Sequence, residues 1–543
     1  MKKLATILTD HFEHWGLTHV FGIPGKAISP ILFELLNTDI EFVLSKHEGA
    51  AGFEASGYAM MKNTPGVAIG TSGPGGTNLL TAAGQAKAFH APLLIITGHP
   101  SMKDTGKGQG QDSSMFGTDL CRMFEPVTKF SARVEYAERL APLLSHALEK
   151  AVTEVQGPVH LSIPFDILLD ETEPFLLDLP NRTPTISPET ENLIPLLNRA
   201  EKPVLFVGKG VHASRAYEEV EKVAEHWQIP VVTTPGGKGA FRTDHNLSLG
   251  GFGLGGTEEA AEYLKGKTDL MLVLGTRLSD MSLPGFTDDM LPDQVFHFDY
   301  DPTFIGKSLF TETTAVLGDL KANLQTLLSQ SSTGISHLRE LPEPKQPPEP
   351  APTERMSAVS VINAMRNTLS DDTILFGDDG SHSFYGIRHF DIRKPGTYFF
   401  DDIFGAMGNG IGFSVGAALA DPGAPVVCLT GDGCMFMHGT EISTAYNYNA
   451  PVLFIIMNNE RLDMVEKGMR KMIGTSIGGV YETPLDGKVF ANSMGLDAYK
   501  CHTSEDIEKA VITALQTIKD TNKPVVIEAI IDGDEIPPTM GRQ

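Results

Sequence analysis

The sequence predicts an α/β protein built of three doubly wound domains with mainly parallel sheets. Three observations lead there. The chain has 543 residues, which suits about three domains at roughly 100–200 residues each. Short apolar runs rich in β-branched residues alternate with helix-period segments, the pattern of parallel strands covered on both faces. Two proline-punctuated stretches interrupt the alternation. Residues 168–190 lack a clear period, and residues 331–354 carry six prolines between Leu341 and Thr353, which favours extended polyproline conformation. The predicted domains are 1–170, 188–330 and 355–535.

The elements follow in order. The opening residues, MKKLATILTDHFEHWG, read as an amphipathic helix, because Asp10, His11 and Glu13 break any apolar signal-peptide core. In the first block, residues 92–98 (PLLIITG) and 158–164 (PVHLSIP) are buried-strand candidates. In the second, residues 203–208, 230–233 and 270–275 read the same way. In the third, residues 373–377, 425–430, 451–457 and 524–531 do so. The outer two blocks are compatible with distant copies of one architecture.

Composition excludes several classes. The formal net charge is −25, which argues against non-specific binding to nucleic acid or anionic lipid. No stretch approaches the 18 or so uninterrupted apolar residues of a membrane span. Cys121, Cys428, Cys434 and Cys501 share no CxxC spacing and form no disulfide framework. A reducing, cytoplasmic compartment is expected.

The chemistry concentrates in residues 429–459, LTGDGCMFMHGTEISTAYNYNAPVLFIIMNN. A strand is expected to end at Thr430, with Gly431, Asp432 and Gly433 in a tight turn, a helix over roughly 437–448 and a second strand ending at Asn458 and Asn459. A right-handed strand–helix–strand unit sets the two strands parallel, so Asp432 and Asn459 emerge together at the carboxyl edge, where open α/β sheets bind ligands. A carboxylate and an amide carbonyl are hard oxygen ligands, and Mg²⁺ fills its remaining positions with phosphate and water. Gly433 lets backbone N–H groups at a helix start approach a phosphate. Alone, GDG is a generic turn and NN a generic loop; joined at this spacing they describe a Mg²⁺–diphosphate site.

GDG followed by NN at this distance resembles the thiamine-diphosphate enzyme motif, and the chain is most similar to the acetolactate synthase (acetohydroxyacid synthase) branch. Matching segments are FGIPG at 21–25, HEGAA at 47–51, TSGPGGTN at 71–78, PVTK at 126–129, GPVHLSIP at 157–164, HFDYDPTFIGK at 297–307, GAMGNG at 405–410 and IPP at 536–538. The resemblance implies a pyrimidine-binding first domain, a Rossmann-like central domain and a diphosphate-binding third domain. It also implies decarboxylation of a 2-oxoacid with carboligation to a second carbonyl, by way of thiamine diphosphate and Mg²⁺; a simple decarboxylase or lyase is the alternative.

Residue roles follow from the resemblance. Glu48 matches the glutamate that hydrogen-bonds N1′ of the aminopyrimidine and favours the imino tautomer that removes the thiazolium C2 proton. Met407 matches the apolar wedge between the two cofactor rings. Gly380, Ser381 and His382, with Gly405, Gly431, Gly433, Cys434 and Met464, stand where relatives contact the cofactor. Asp432, Asn459 and the backbone carbonyl of Arg461 match the metal ligands. Substrate candidates are Gly25, Lys26, His90, Phe116 and Val465. Since relatives draw the glutamate and the diphosphate site from different subunits, a homodimer or homotetramer with shared sites is expected. By themselves Glu48 reads as a helix cap, Met407 as filler, and His90 and His382 as loop histidines.

Two departures concern the substrate pocket. A Gln ten residues before the Pro of PVTK is replaced by Phe116, with Gln109 and Gln111 upstream, and Gly468 stands where some relatives carry Trp. The segment also lacks the His-His pair of several simple decarboxylases. GFGLGG at 251–256 satisfies GxGxxG, but no clear strand feeds it, which makes a NAD-dehydrogenase a poor reading. Gly208, Gly253 and Arg277 leave FAD in the central domain open. GFSVG at 412–416 satisfies GxSxG, yet Ser414 lies in a run that reads as a packed helix and not as a nucleophile elbow, which disfavours a serine hydrolase.

Overall fold

The computed structural model describes residues 1–62, 64–181, 183–331, 340–342 and 354–538. Most of the proline-rich stretch expected over 331–354 lies outside the described residues. Three six-stranded sheets, parallel throughout, carry the fold. The first, in spatial order, holds Glu41–Leu44, His19–Gly22, Gly66–Gly70, Leu93–His99, Pro158–Pro164 and Phe130–Arg133. The third holds Tyr398–Phe399, Ile374–Gly377, Val426–Gly431, Val452–Asn458, Val525–Ile530 and Asp497–Cys501. Ranked by chain position, both read 2-1-3-4-6-5, so the outer domains share one topology. The second holds Ser248–Gly251, Val231–Thr233, Pro203–Val207, Leu270–Leu274, Gln294–Asp299 and Glu312–Leu317, the 3-2-1-4-5-6 order of a dinucleotide-type fold.

Central strands such as Leu93–His99 and Val452–Asn458 are buried along their whole length, because helices cover both faces. Their apolar runs announce them in the sequence. The edge strands Glu41–Leu44, Phe130–Arg133 and Glu312–Leu317 are half-solvated and polar in part, and no buried run marks them. Residues 168–190 are more than a spacer. Glu171–Thr172 pairs antiparallel with Lys2–Lys3, and the following chain lies on the helix Leu4–His14. There Trp15 Nε1 donates to the Leu177 carbonyl at 2.8 Å, and the Leu177 N–H donates to His11 Nε2 at 3.0 Å.

The first and third domains meet through the helices Glu48–Lys62 and Asn409–Ala420. Glycines permit the contact. A Cβ on Gly416 would stand 1.8 Å from the Glu54 carbonyl oxygen, and one on Gly57 2.1 Å from that of Phe413. Beside the crossing, Glu441 of the third domain accepts the backbone N–H groups of Lys46 and His47 at 2.9 and 3.0 Å. Ser45 Oγ donates to Glu54 at 2.5 Å. Glu54 and Glu441 are both fully buried. Burial first, and then the like charge of Glu441, push the Glu54 carboxyl well above the usual carboxylate range.

Both features of this interface can be measured. Gly416→Ala forces the helices apart; overpacking of this kind costs about 1–3 kcal/mol or more, and thermal unfolding should begin earlier than in the parent. An unchanged midpoint would mean the helices separate freely. For Glu54 the folded value lies above the ordinary 4.5. Its contribution is therefore fully present below about pH 4.5 and declines as pH rises through the raised value. Glu54→Gln should flatten the loss of thermal stability between acid and mildly alkaline pH; a variant whose profile keeps the parent's slope contradicts this.

Candidate active site

The strand Val426–Gly431 brings the chain to the carboxyl edge of the third sheet, where extended Gly431 caps the helix Asp432–His438. The adjacent strand Val452–Asn458 runs parallel, with Met457 opposite Gly431. Asp432 and Asn459 therefore leave the sheet side by side. The helix differs from the expected 437–448: it begins at Asp432 itself, breaks at the turn Gly439–Glu441 and resumes as Ile442–Asn447. Glycine is a weak helix former, and Gly439 sits at the break, beneath the Met435 and Phe490 side chains.

A pocket of about 410 Å³ opens on this edge. Gly380, Ser381, His382, Met407, Gly431, Asp432, Gly433, Cys434, Asn459, Arg461, Met464 and Val465 line it. Gly405 stands outside the lining, with a left-handed φ of 71°. The sequence reading missed four further residues of the lining, Asp379, Met457, Leu462 and Asp463. Asp379 accepts from Asn409 Nδ2 at 2.7 Å, a partner that local sequence does not reveal.

The residues present fit a Mg²⁺–diphosphate. Asp432 accepts from the Gly433 N–H at 2.9 Å and the Arg461 N–H at 3.1 Å. Burial nonetheless pushes its carboxyl up to about 7, a shift that an adjacent dication reverses. With the Asn459 amide the donors are hard oxygens, as Mg²⁺ requires. Burial holds the His382 imidazole down at about 4, and its buried Nε2 lacks a hydrogen-bond partner. A Cβ on Gly433 would stand 2.9 Å from both Met407 Cε and Leu462 Cδ2, so glycine keeps the helix start open beneath Met407.

Glu48 lies elsewhere. It opens its helix at the carboxyl edge of the first sheet, nearly buried, and its Oε2 accepts from Asn78 Nδ2 at 2.9 Å. It does not line the 410 Å³ pocket of its own chain. Gly25 and Lys26 follow the strand His19–Gly22 on the same edge, with Gly25 close against Thr71. Phe116 is exposed. His90 ends the helix Leu80–Phe89 in a left-handed turn and lines an open pocket of about 870 Å³ against the central domain, apart from Asp432. Burial pushes its imidazole down to about 3.

The central domain corrects one reading. A strand, Ser248–Gly251, does feed the GxGxxG run; it is the edge strand of the sheet, far from the switch point where dinucleotides bind. Of the residues considered for FAD, Arg277 lines the 870 Å³ pocket, whereas Gly208 is tucked against Thr276 and Gly253 against the Met281 and Ser282 carbonyls. Ser414 is buried inside the helix Asn409–Ala420 and donates to the Gly410 carbonyl at 2.7 Å, which leaves it no nucleophilic role.

Comparison with known proteins agrees with this geometry. Residues 2–119 match the family described as thiamine pyrophosphate enzyme, N-terminal TPP binding domain. Residues 190–327 match the central domain, and 378–529 the C-terminal TPP binding domain. The chain is 31% identical over 565 residues to a probable acetolactate synthase large subunit of Methanocaldococcus jannaschii, covering 99% of this chain and 93% of the relative. It is 31% identical to the acetolactate synthase large subunit of Corynebacterium glutamicum, covering 98% and 87%. Its identity to the acetolactate synthase isozyme 1 large subunit of Escherichia coli is 30%, covering 98% and 94%. With all three domains of one family matched in order, and relatives of this similarity along nearly the whole length, the chain belongs to the thiamine pyrophosphate enzymes.

Proposed function

We propose that the protein is a thiamine-diphosphate- and Mg²⁺-dependent carboligase that decarboxylates a pyruvate-like 2-oxoacid and joins the remainder to a second carbonyl, giving an acetohydroxy acid. The observation that carries this reading is the single pocket lined by Asp432, Asn459, Arg461 and Met407 at the carboxyl edge of the third sheet. Bound thiamine diphosphate supplies the carbon nucleophile; the protein binds, orients and desolvates it. The Asp432 carboxylate, the Asn459 amide oxygen and the Arg461 carbonyl would hold the metal. The Gly431–Gly433 helix start, with Gly380, Ser381 and His382, would receive the diphosphate, and Met407 would pack against the cofactor's rings. Glu48, held by Asn78, would supply the carboxylate that hydrogen-bonds N1′ of the pyrimidine and favours its imino tautomer. Phe116, Val465, Gly25 and Lys26 border the substrate.

Because Glu48 lies outside the pocket of its own chain, a second copy supplies it, and the working unit is a homodimer or a homotetramer of such pairs. Among the described residues no helix is long and apolar enough to cross a membrane, and the proposed compartment is the cytoplasm. Product analysis with a panel of 2-oxoacids, with and without an acceptor carbonyl, tests the reaction. An acetohydroxy acid supports it; aldehyde alone identifies a decarboxylase instead.

Asp432→Ala and Asn459→Ala should each abolish Mg²⁺-dependent cofactor retention, because the metal has few protein ligands to lose. Cofactor bound as tightly as in the parent would overturn the metal assignment. Glu48→Gln keeps the shape and removes the charge; loss of a positioned acid–base group costs on the order of 10²–10⁴ in rate. Hydrogen–deuterium exchange at C2 of the bound cofactor should slow accordingly while binding persists. Exchange at the parental rate in the loaded variant removes Glu48 from the mechanism.

A further inference from the structure

The loop that carries Met407 belongs to no regular element, and its shape is imposed by two side chains, Asp401 and Gln85. Asp401 accepts the backbone N–H groups of Ile403 at 3.3 Å, Phe404 at 2.8 Å and Gly405 at 3.4 Å. Gln85, on the helix Leu80–Phe89 of the first domain, accepts the next N–H, that of Ala406, at 3.2 Å. The same Gln85 donates Nε2 to Asp401 Oδ2 at 2.8 Å. Four consecutive N–H groups, from 403 through 406, are thus held by a carboxylate and an amide bonded to each other. Beyond Met407 the Gly408 N–H donates to Asp378 at 2.8 Å. Gly405 and Gly408 both have left-handed φ values, 71° and 88°, so the chain between them bends through positions only glycine adopts readily.

The carboxylate at the centre of this arrangement needs compensation, and the central domain provides it. Asp401 and Gln85 are buried. Lys209 follows the strand Pro203–Val207, between Gly208 and Gly210, and is nearly buried itself. Its Nζ stands 3.1 Å from Asp401 and 3.3 Å from Asp402. Burial acts to raise the Asp401 carboxyl, but the Lys209 ammonium and the donated hydrogen bonds outweigh it and hold Asp401 below the usual carboxylate range. All three domains therefore meet at one ionised group, a few residues before Met407.

We propose that Lys209, Asp401 and Gln85 are positioning residues for Met407, and that through the Lys209–Asp401 ion pair the central domain fixes the geometry of the cofactor loop. This rests on the reading of Met407 as the cofactor's support. Without the ammonium, Asp401 is a buried charge facing Asp402. Protonation or displacement then releases the N–H groups it holds, and Met407 moves with them.

The test uses full-length Lys209→Met, Lys209→Arg and Asp401→Asn proteins at saturating thiamine diphosphate and Mg²⁺. Misplacement by about 1 Å, even by a change far from the chemistry, can cost on the order of 10²-fold. In Lys209→Met, kcat and C2 exchange of the bound cofactor should fall by at least about tenfold on that basis, with the KM for the 2-oxoacid little changed. Lys209→Arg should recover most of the rate. If Lys209→Met melts earlier but exchanges at the parental rate, the ion pair is structural only and the proposal is wrong. Should Lys209→Met fail to fold, Asp401→Asn, which keeps the side-chain shape, decides the question instead: slowed exchange supports the proposal and parental exchange refutes it. Met407→Ala, measured alongside, separates the two claims. Parental exchange in Met407→Ala refutes the cofactor role of Met407. Slowed exchange in Met407→Ala with parental exchange in Lys209→Met refutes only the positioning role.

Discussion

The glycine contact between the helices Glu48–Lys62 and Asn409–Ala420 is the constraint on which the rest of the molecule hangs. Neither Gly416 nor Gly57 has room for a methyl group, so the helix backbones touch and their relative position has little freedom. Each helix begins at or beside a residue to which the proposed function gives a role. Glu48 is the first residue of one, and Asn409, two residues past Met407, is the first of the other. A crossing in which glycines bring the backbones into contact, with Phe53 and Phe413 packed edge to face beside them, transmits position faithfully. Glu441 reinforces it by holding the Lys46 and His47 N–H groups, the two that lead into Glu48.

The outer domains use one topology for two different arrangements of polar residues. In both, the loops at the carboxyl edge carry the polar residues, as a parallel sheet covered on its faces dictates. The first domain presents a single carboxylate braced by an amide, Glu48 on Asn78. The third presents Asp432 beside Asn459, with Asp378 and Asp379 behind them. Burial shapes each group: it drives Asp432 up to about 7 and the His382 ring down to about 4. An acidic carboxyl held near neutrality by desolvation gains most from a cation, and a neutral imidazole with an unsatisfied nitrogen gains from a polar partner.

Much of this was legible in the chain. Runs such as VLFIIMN at 452–458 announce buried parallel strands because every position faces a helix. The spacing from Asp432 to Asn459 fixes a strand–helix–strand unit whatever the helix does in between, and the broken helix left the two residues adjacent all the same. Edge strands escaped because half their residues face water; Ser248–Gly251, with two glycines, carries too little pattern to be seen. The residues that hold the site were hidden for another reason. Asn78 braces Glu48 from 30 positions away, and Gln85 reaches Asp401 across 316. Pairings of that range leave no periodicity and no local spacing.

The central domain shows how a fold's habitual ligand-binding edge can serve a structural end. Its strand order is that of dinucleotide-binding sheets, and the turn after its first strand has glycines at 208 and 210, where a phosphate would approach. Lysine stands between them, and its ammonium points out of the domain to Asp401 and Asp402. A buried carboxylate pair cannot remain ionised without a counter-charge, and the N–H groups of residues 403–405 all converge on the ionised Asp401. The cation at the sheet edge thus meets a need created in another domain. The crevice keeps its shape, with Arg277 still on the wall of the 870 Å³ pocket, but its most buried cation is committed to the loop beneath the proposed cofactor.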